Sequence, residues 1–248
     1  MAEQSTDSVA LSVHDITKNF SGLVAVQNLS FDLAVNEVLG LIGPNGSGKT
    51  TMINLISGAL KPSSGRIKLY GDDIAAASAN AIARKGVART FQMVRILPSL
   101  SVLENVAAGG IFGYTSLWGS ALDERARELL ERLGLEAVGG APVSALTYID
   151  QKRLELARAL MSDPKVLLLD EWLAGLNPTD MMAGISLIED LRAEGRTIII
   201  VEHVMDAIRS LCDRCVVMNS GAKIAEGTPQ DVLADAEVIR AYLGDDDA

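Results

Sequence analysis

Apolar residues recur along this chain at two spacings, and the switches between them lay out its elements. From Leu11 to Leu33 the spacing is that of strands, with Leu29, Phe31 and Leu33 alternating against Ser30 and Asp32. The apolar run Val38 to Ile42 predicts a buried strand, and Thr51 to Ile56 predicts a helix. After Gly58 and the turn Pro62-Ser63-Ser64-Gly65, Arg66 to Tyr70 returns as a strand. Ala75 to Arg84 reads as a short helix, and Gly86 to Phe91 as a strand ending at Gln92. Beyond Gln92 the spacing turns helical over Val102 to Ala107, Ala121 to Leu133 and Gln151 to Met161, the second stopped by Gly134. Strands resume at Val166 to Leu169, Thr197 to Val201, Cys215 to Met218 and Lys223 to Glu226. A helix from Asp180 to Glu194, stopped by Gly195, joins the first two. Thr228-Pro229 opens a short helical tail ending near Leu243, and Asp245-Asp246-Asp247 reads as a solvated end.

Strands alternating with helices predict an α/β domain, a mainly parallel sheet with helices on both sides and an antiparallel β edge from the N-terminal strands. The helical stretch predicts a lobe of residues 93–161 inserted between core segments 1–92 and 162–228, with a tail of residues 229–248.

One stretch carries the chemistry. Gly43-Pro-Asn-Gly-Ser-Gly-Lys-Thr-Thr51 matches G-x-x-x-x-G-K-[ST], with the required strand before it and helix after it. Glycines at Gly46 and Gly48, with Asn45 and Ser47 between and before them, let successive N–H groups turn around an anion. The following helix, through Thr50 and Thr51, adds its positive end. Lys49 is placed to reach the β- and γ-phosphates and the Thr50 hydroxyl to sit on Mg²⁺, so ATP and magnesium are the expected ligands.

Composition narrows the setting. Apolar residues make up 48% of the 248 residues and charged ones 22%, which suits a globular protein with ample core. A formal charge of −10 argues against a general nucleic-acid binder, which needs a basic stripe. No apolar run approaches the length of a membrane span, and the polar, acidic stretch Met1 to Ser8 does not read as a secretory leader. The expected place is the cytoplasm. Cys212 and Cys215 form a C-x-x-C without a second ligand pair, and so read as buried structural thiols.

Five further positions draw attention. Phe20, upstream of the glycine loop, suits either stacking on a purine ring or a place in the core. Gln92, at a strand end, reads either as a sensor of Mg²⁺ or the attacking water, or as polar surface. Asp170 and Glu171 end a buried strand, where one carboxylate can hold Mg²⁺ through water and the next can orient and deprotonate the water attacking the γ-phosphate. His203 ends the strand expected to lie parallel to that one, at the sheet edge where α/β proteins bind ligands, and stands between a structural and a ligand-facing role. The glycine-rich loop Gly109 to Gly119 carries Phe112, Tyr114 and Trp118, which suit either an exposed partner surface or, as the preferred reading, packing between helices.

In this order the landmarks resemble the nucleotide-binding subunit of an ABC transporter, a RecA-like P-loop NTPase, over Leu11 to Leu243. The likeness extends to ATPases of branched-chain amino acid and amide importers. The stretches that carry it are Gly43 to Thr51, Arg89-Thr-Phe-Gln92, Leu146-Thr-Tyr-Ile-Asp-Gln-Lys-Arg153, Val166-Leu-Leu-Leu-Asp-Glu171, Ala174-Gly-Leu-Asn-Pro178, Glu202-His203 and Ala225-Glu-Gly-Thr-Pro229. The resemblance implies that Phe20 stacks on adenine and that Gln92 links Mg²⁺ to the transmembrane partner. It makes Glu171 the general base, His203 the switch at the γ-phosphate and Asp170 a metal carboxylate. Two ATPase subunits would close head to tail, each ATP being sandwiched between one phosphate loop and the other subunit's signature, Leu146, Thr147, Tyr148, Ile149 and Asp150. The implied partners are permease subunits touched by Met93 to Ala107, a second ATPase subunit and a solute-binding protein, with the chain on the inner face of the cell membrane. A lipid or lipopolysaccharide exporter is the alternative within the class.

Three places depart from the family's pattern. Ile149 stands where a signature glycine lets backbone approach the opposing γ-phosphate, and a β-branched residue adds bulk and resists φ > 0. Trp172 replaces a proline, and Val204 an acidic residue. The departures suggest a subunit that pairs with a different ATPase whose signature is intact, or a nucleotide-gated subunit that does not itself hydrolyse.

Overall fold

A computed structural model describes residues 9–111 and 113–243. Met1 to Ser8, Phe112 and the Asp245-Asp246-Asp247 end lie outside the described residues. The strands are β1 (Val9–Phe20), β2 (Leu23–Ala34), β3 (Val38–Ile42), β4 (Ser64–Leu69), β5 (Asp72–Asp73), β6 (Val87–Arg89), β7 (Val166–Asp170), β8 (Ile198–Val201), β9 (Arg214–Asn219) and β10 (Ala222–Gly227). The helices are α1 (Lys49–Ile56), α2 (Ala79–Arg84), α3 (Val102–Ile111), α4 (Ser120–Arg132), α5 (Tyr148–Leu160), α6 (Pro178–Ala193), α7 (Met205–Leu211), α8 (Pro229–Ala234) and α9 (Ala236–Leu243).

Two sheets form. The first is antiparallel, in the order β2-β1-β4-β5; the second runs β10-β9-β3-β8-β7-β6, parallel throughout except for β10 on β9. The expected parallel core is present, and the N-terminal strands make a sheet of their own laid over one face of it.

Apart from Asp170 at the end of β7, the strands β3, β7 and β8 carry no polar side chain, because both faces are covered. Val38, Ile42, Leu167, Leu169, Ile198 and Ile200 enter one core with the apolar stripes of α3 to α7. Their neighbours Leu39, Leu41, Val166, Leu168, Ile199 and Val201 enter the other, with α1 and the antiparallel sheet. The period-2 alternation of a strand thus distributes consecutive residues between two cores.

Short polar signals stop and start the helices as the sequence indicates. Thr147, Asn177 and Thr228 each accept a hydrogen bond from the backbone N–H of an aspartate three residues on, capping α5, α6 and α8. Pro178 and Pro229 take the first helical position in the latter two. The loop after α3 differs from expectation: Tyr114 and Trp118 are exposed rather than packed between helices. Tyr114 is instead covered on one face by the Lys165 ammonium, 4.5 Å from its ring centre.

Candidate functional site

Strands β3, β7 and β8 are adjacent and parallel, so the loops that follow them open at one edge of the sheet. The loop after β3 is the glycine loop. Its glycines are dictated by the backbone: Gly43 has φ 147° and a Cβ there would lie 2.0 Å from the Met218 carbonyl oxygen. Gly48, at φ 105°, would meet the Ala25 carbonyl at 2.5 Å. The loop opens into a cleft of about 670 Å³ lined by Asn45, Gly46, Ser47, Gly48, Lys49, Thr50 and Thr51, with Phe20, Leu23, Val24 and Glu171. Phe20 is 40% exposed and stands at the lip, not in the core. A larger groove of about 780 Å³ lies on the antiparallel sheet and holds none of the candidate residues.

Lys49 is buried, and its ammonium donates to the carbonyl oxygens of Gly43 (2.8 Å) and Pro44 (2.9 Å). Burial lowers its pKa, and the charges of Glu171 and Asp170 work against that shift, which places both carboxylates within its field.

Asp170 ends β7 with a carboxylate only 2% exposed. One oxygen, Oδ2, accepts from Arg89 at 2.7 Å; the other, Oδ1, is buried without a hydrogen-bond partner. Arg89 also donates to Asn54 Oδ1 (2.6 Å) and Ser57 Oγ (3.2 Å) of α1 and its C-cap, so one guanidinium joins β6, β7 and the helix behind the glycine loop.

Glu171 turns the chain out of the sheet at φ 48°, a left-handed conformation uncommon for a side chain with a Cβ. Its N–H donates to the Val201 carbonyl at 2.8 Å. Its carboxylate is held on both sides: Gln92 Nε2 donates to Oε2 at 2.6 Å, and His203 Nε2 lies 2.9 Å from Oε1. Residues from three separate loops therefore meet at one carboxylate.

The five residues Leu146 to Asp150 do not line this cleft. Leu146 and Ile149 are buried in the core beneath α5, while Thr147 and Tyr148 are exposed. Ile149 sits in the first turn of α5 at negative φ with its side chain in the core, so the left-handed backbone that its β-branch would resist is not required here. Asp150 accepts from Thr147 Oγ1 at 2.7 Å and pairs with Arg153 at 3.2 Å, which occupies its charge. Trp172 is fully buried, its indole N–H donating to the Lys152 carbonyl at 3.2 Å, and Gly184 leaves room for the ring. Cys212 and Cys215 are free and buried against Gly40.

Several residues at the site escaped sequence reasoning. Arg89 lies within the Arg89-Thr-Phe-Gln92 motif without a role of its own in the pattern, and Glu155 belongs to no motif; its carboxylate accepts from the backbone N–H of Phe91 (3.3 Å) and Arg95 (2.9 Å), clamping the loop that carries Gln92. Lys152 and Glu202 are buried polar residues beside Glu171. The one available signal was charge on the apolar stripe of α5, where Lys152 and Glu155 fall at helical spacing with Leu156 and Ala159.

A glycine phosphate loop between a parallel strand and a helix, with a strand-end carboxylate pair beside it, defines a P-loop nucleoside triphosphatase. Residues 26–174 match the ABC transporter family, and residues 222–248 match a second family described as the branched-chain amino acid ATP-binding cassette transporter. The chain belongs to the ABC transporter family and is an ATP-hydrolysing cassette subunit. It is 40% identical to the high-affinity branched-chain amino acid transport ATP-binding protein LivG of Salmonella typhimurium (strain LT2), over 95% of this chain and 98% of that protein. It is 34% identical to the lipopolysaccharide export system ATP-binding protein LptB of Escherichia coli (strain K12), over 95% and 98%. Its fold overlays the ADP conformation of MJ1267, an ATP-binding cassette of an ABC transporter, with a TM-score of 0.87 at 32% identity over 96% of this chain and 99% of that one. The dimeric cassette MJ0796 in a post-hydrolysis state with ADP and Pi overlays with a TM-score of 0.80 at 25% identity, over 88% and 98%. Cassettes of this family dimerise and work with transmembrane permeases. No described helix of this chain is long and apolar enough to cross a membrane itself.

Proposed function

We propose that the chain hydrolyses Mg·ATP to drive import of branched-chain amino acids or related amides through a membrane permease. The observation that carries the catalytic half is the Glu171 carboxylate, fixed between Gln92 and His203 at the cleft that holds Lys49. Glu171 orients the attacking water and takes its proton. Lys49 and the loop N–H groups hold the phosphates, His203 contacts the γ-phosphate, and Phe20 stacks on the base. The exposed Tyr148 and Thr147, with the α5 N-terminus, meet the partner subunit's nucleotide.

The donor set suits magnesium, which takes one or two carboxylates plus hydroxyl, water and phosphate oxygens. Asp170 Oδ1 is a buried carboxylate oxygen without a hydrogen-bond partner, and the Thr50 hydroxyl and the Gln92 amide oxygen would complete the set. A magnesium ion there would neutralise charge on the β- and γ-phosphates.

Small side chains at Ala59, Ala83, Ala88, Ala108 and Gly109 leave a groove of about 350 Å³ beside Phe91. The groove adjoins the stretch 93–107 at both of its ends, and Met93 there is exposed; residues 93–107 would lie against the permease on the inner face of the cell membrane. A solute-binding protein would deliver the substrate, and the charge of −10 supports no role with nucleic acid. The tail match and the LivG likeness set import ahead of export; the LptB likeness makes lipopolysaccharide export the second reading. The inward packing of Ile149 weighs against a degenerate signature, and Trp172 is likewise packed in the core.

Glu171→Gln tests the chemistry: ATP binding should persist while turnover falls by about two orders of magnitude or more. An unaltered rate removes Glu171 from its role. Affinity isolation from solubilised native membranes tests the transport assignment, and recovery of a lipid-export permease would overturn it.

A further inference from the structure

We propose that Lys152 is a positioning residue that ties the exposed end of α5 to the backbone of Glu171, and thereby couples the two half sites of a closed dimer. The inference rests on the function proposed above, in which Glu171 serves the chain's own ATP and the start of α5 meets the partner's.

Lys152 is fully buried, which is rare for a lysine without a carboxylate partner. Among the described residues its ammonium makes no ion pair; it donates to the Glu171 carbonyl oxygen at 3.4 Å and lies 5.2 Å from the centre of the Tyr148 ring. Its charge reaches the buried carboxylates of Glu202 and Glu155, so a methionine of similar volume would remove that field as well as the bond to Glu171. The turn after β7 is held at three successive residues. Lys152 Nζ meets the Glu171 carbonyl, the Trp172 indole N–H meets the Lys152 carbonyl, and the Leu173 N–H meets the buried carboxylate of Glu202 at 2.7 Å. That turn holds Glu171 at φ 48°, and a conformation of this kind persists where its surroundings over-determine it. Tyr148, 45% exposed at the start of α5, is the other end of the line. A load on its ring shifts the cation beneath it, and the cation holds the peptide that aims the Glu171 carboxylate.

The test uses the full chain with Mg·ATP, comparing wild type with Lys152→Met and Lys152→Arg. For Lys152→Met, binding of a fluorescent ATP analogue should stay within about twofold while kcat falls about tenfold or more, since small misplacements of a reacting group have large effects. The Hill coefficient of turnover against ATP should fall towards one. Lys152→Arg should recover most of both. Wild-type kcat and Hill coefficient in Lys152→Met, or an arginine variant as impaired as the methionine one, overturns the proposal. If Lys152→Met shows no folding transition by calorimetry, Trp172→Phe decides: lowered kcat and Hill coefficient support the coupling, and wild-type kinetics overturn it. Absence of turnover at any ATP concentration from the wild-type chain assembled with its permease and any second ATPase would refute the proposed function itself, and this inference with it.

Discussion

Replacing Arg89 with methionine is the sharpest test of how the site is built. The Arg89–Asp170 pair is 2.7 Å long with side chains 9% and 2% exposed, so it behaves as a buried pair and not as a surface one. Removing the guanidinium leaves the Asp170 carboxylate buried without compensation, a loss of about 3–5 kcal/mol. Two further hydrogen bonds, to Asn54 and Ser57, add about 1 kcal/mol between them once their acceptors regain water. The total of about 4–6 kcal/mol corresponds, in a chain this long, to a fall in Tm of about 8–24 °C. Differential scanning calorimetry of nucleotide-free protein measures it. Asp170→Asn in the Arg89→Met background should restore about 1–3 kcal/mol, because the stranded charge is gone. A Tm for Arg89→Met within about 3 °C of wild type, or strictly additive effects in the double variant, would refute the argument that this pair joins β6, β7 and α1.

Three more outcomes follow from the geometry. Ile149→Gly should destabilise the protein by about 3–5 kcal/mol, from a core cavity and a glycine in a helix, without raising turnover per folded molecule; a faster enzyme would restore the idea of an impaired signature. Burial raises the pKa of Glu202 from 4.5 to about 7, opposed by the Leu173 N–H and the charge of Lys152. Its raised folded-state value means that its contribution to stability is complete below pH 4.5 and is lost as pH rises through about 7, so Glu202→Gln should flatten that part of a urea-denaturation pH profile. Phe20→Ala should weaken ATP binding by about 1–3 kcal/mol in calorimetry, and an unchanged affinity would remove the ring from the base site.

Much of the plan is legible along the chain because it is local. The glycine loop carries its own geometry, since Gly43 and Gly48 stand where a Cβ would strike backbone oxygen. The caps at Thr147, Asn177 and Thr228 are set by residues three apart. The uninterrupted apolar runs of β3, β7 and β8 announce a sheet covered on both faces, and thus the α/β class. Other features exist only after folding. The order β10-β9-β3-β8-β7-β6 brings Gln92, Glu171 and His203, from three distant segments, to one carboxylate. No spacing in the chain encodes that meeting. The direction of Ile149 is not legible in the sequence for a related reason: a motif position says which residue is present, while the register of α5 on the core decides where its side chain goes. Lys152, Glu155 and Glu202 look like surface charges in sequence, and burial gives them their partners. Backbone conformation and hydrophobic pattern are properties of neighbouring residues and can be read from their order; the pairing of buried polar groups depends on which surfaces meet, and only the tertiary structure settles that.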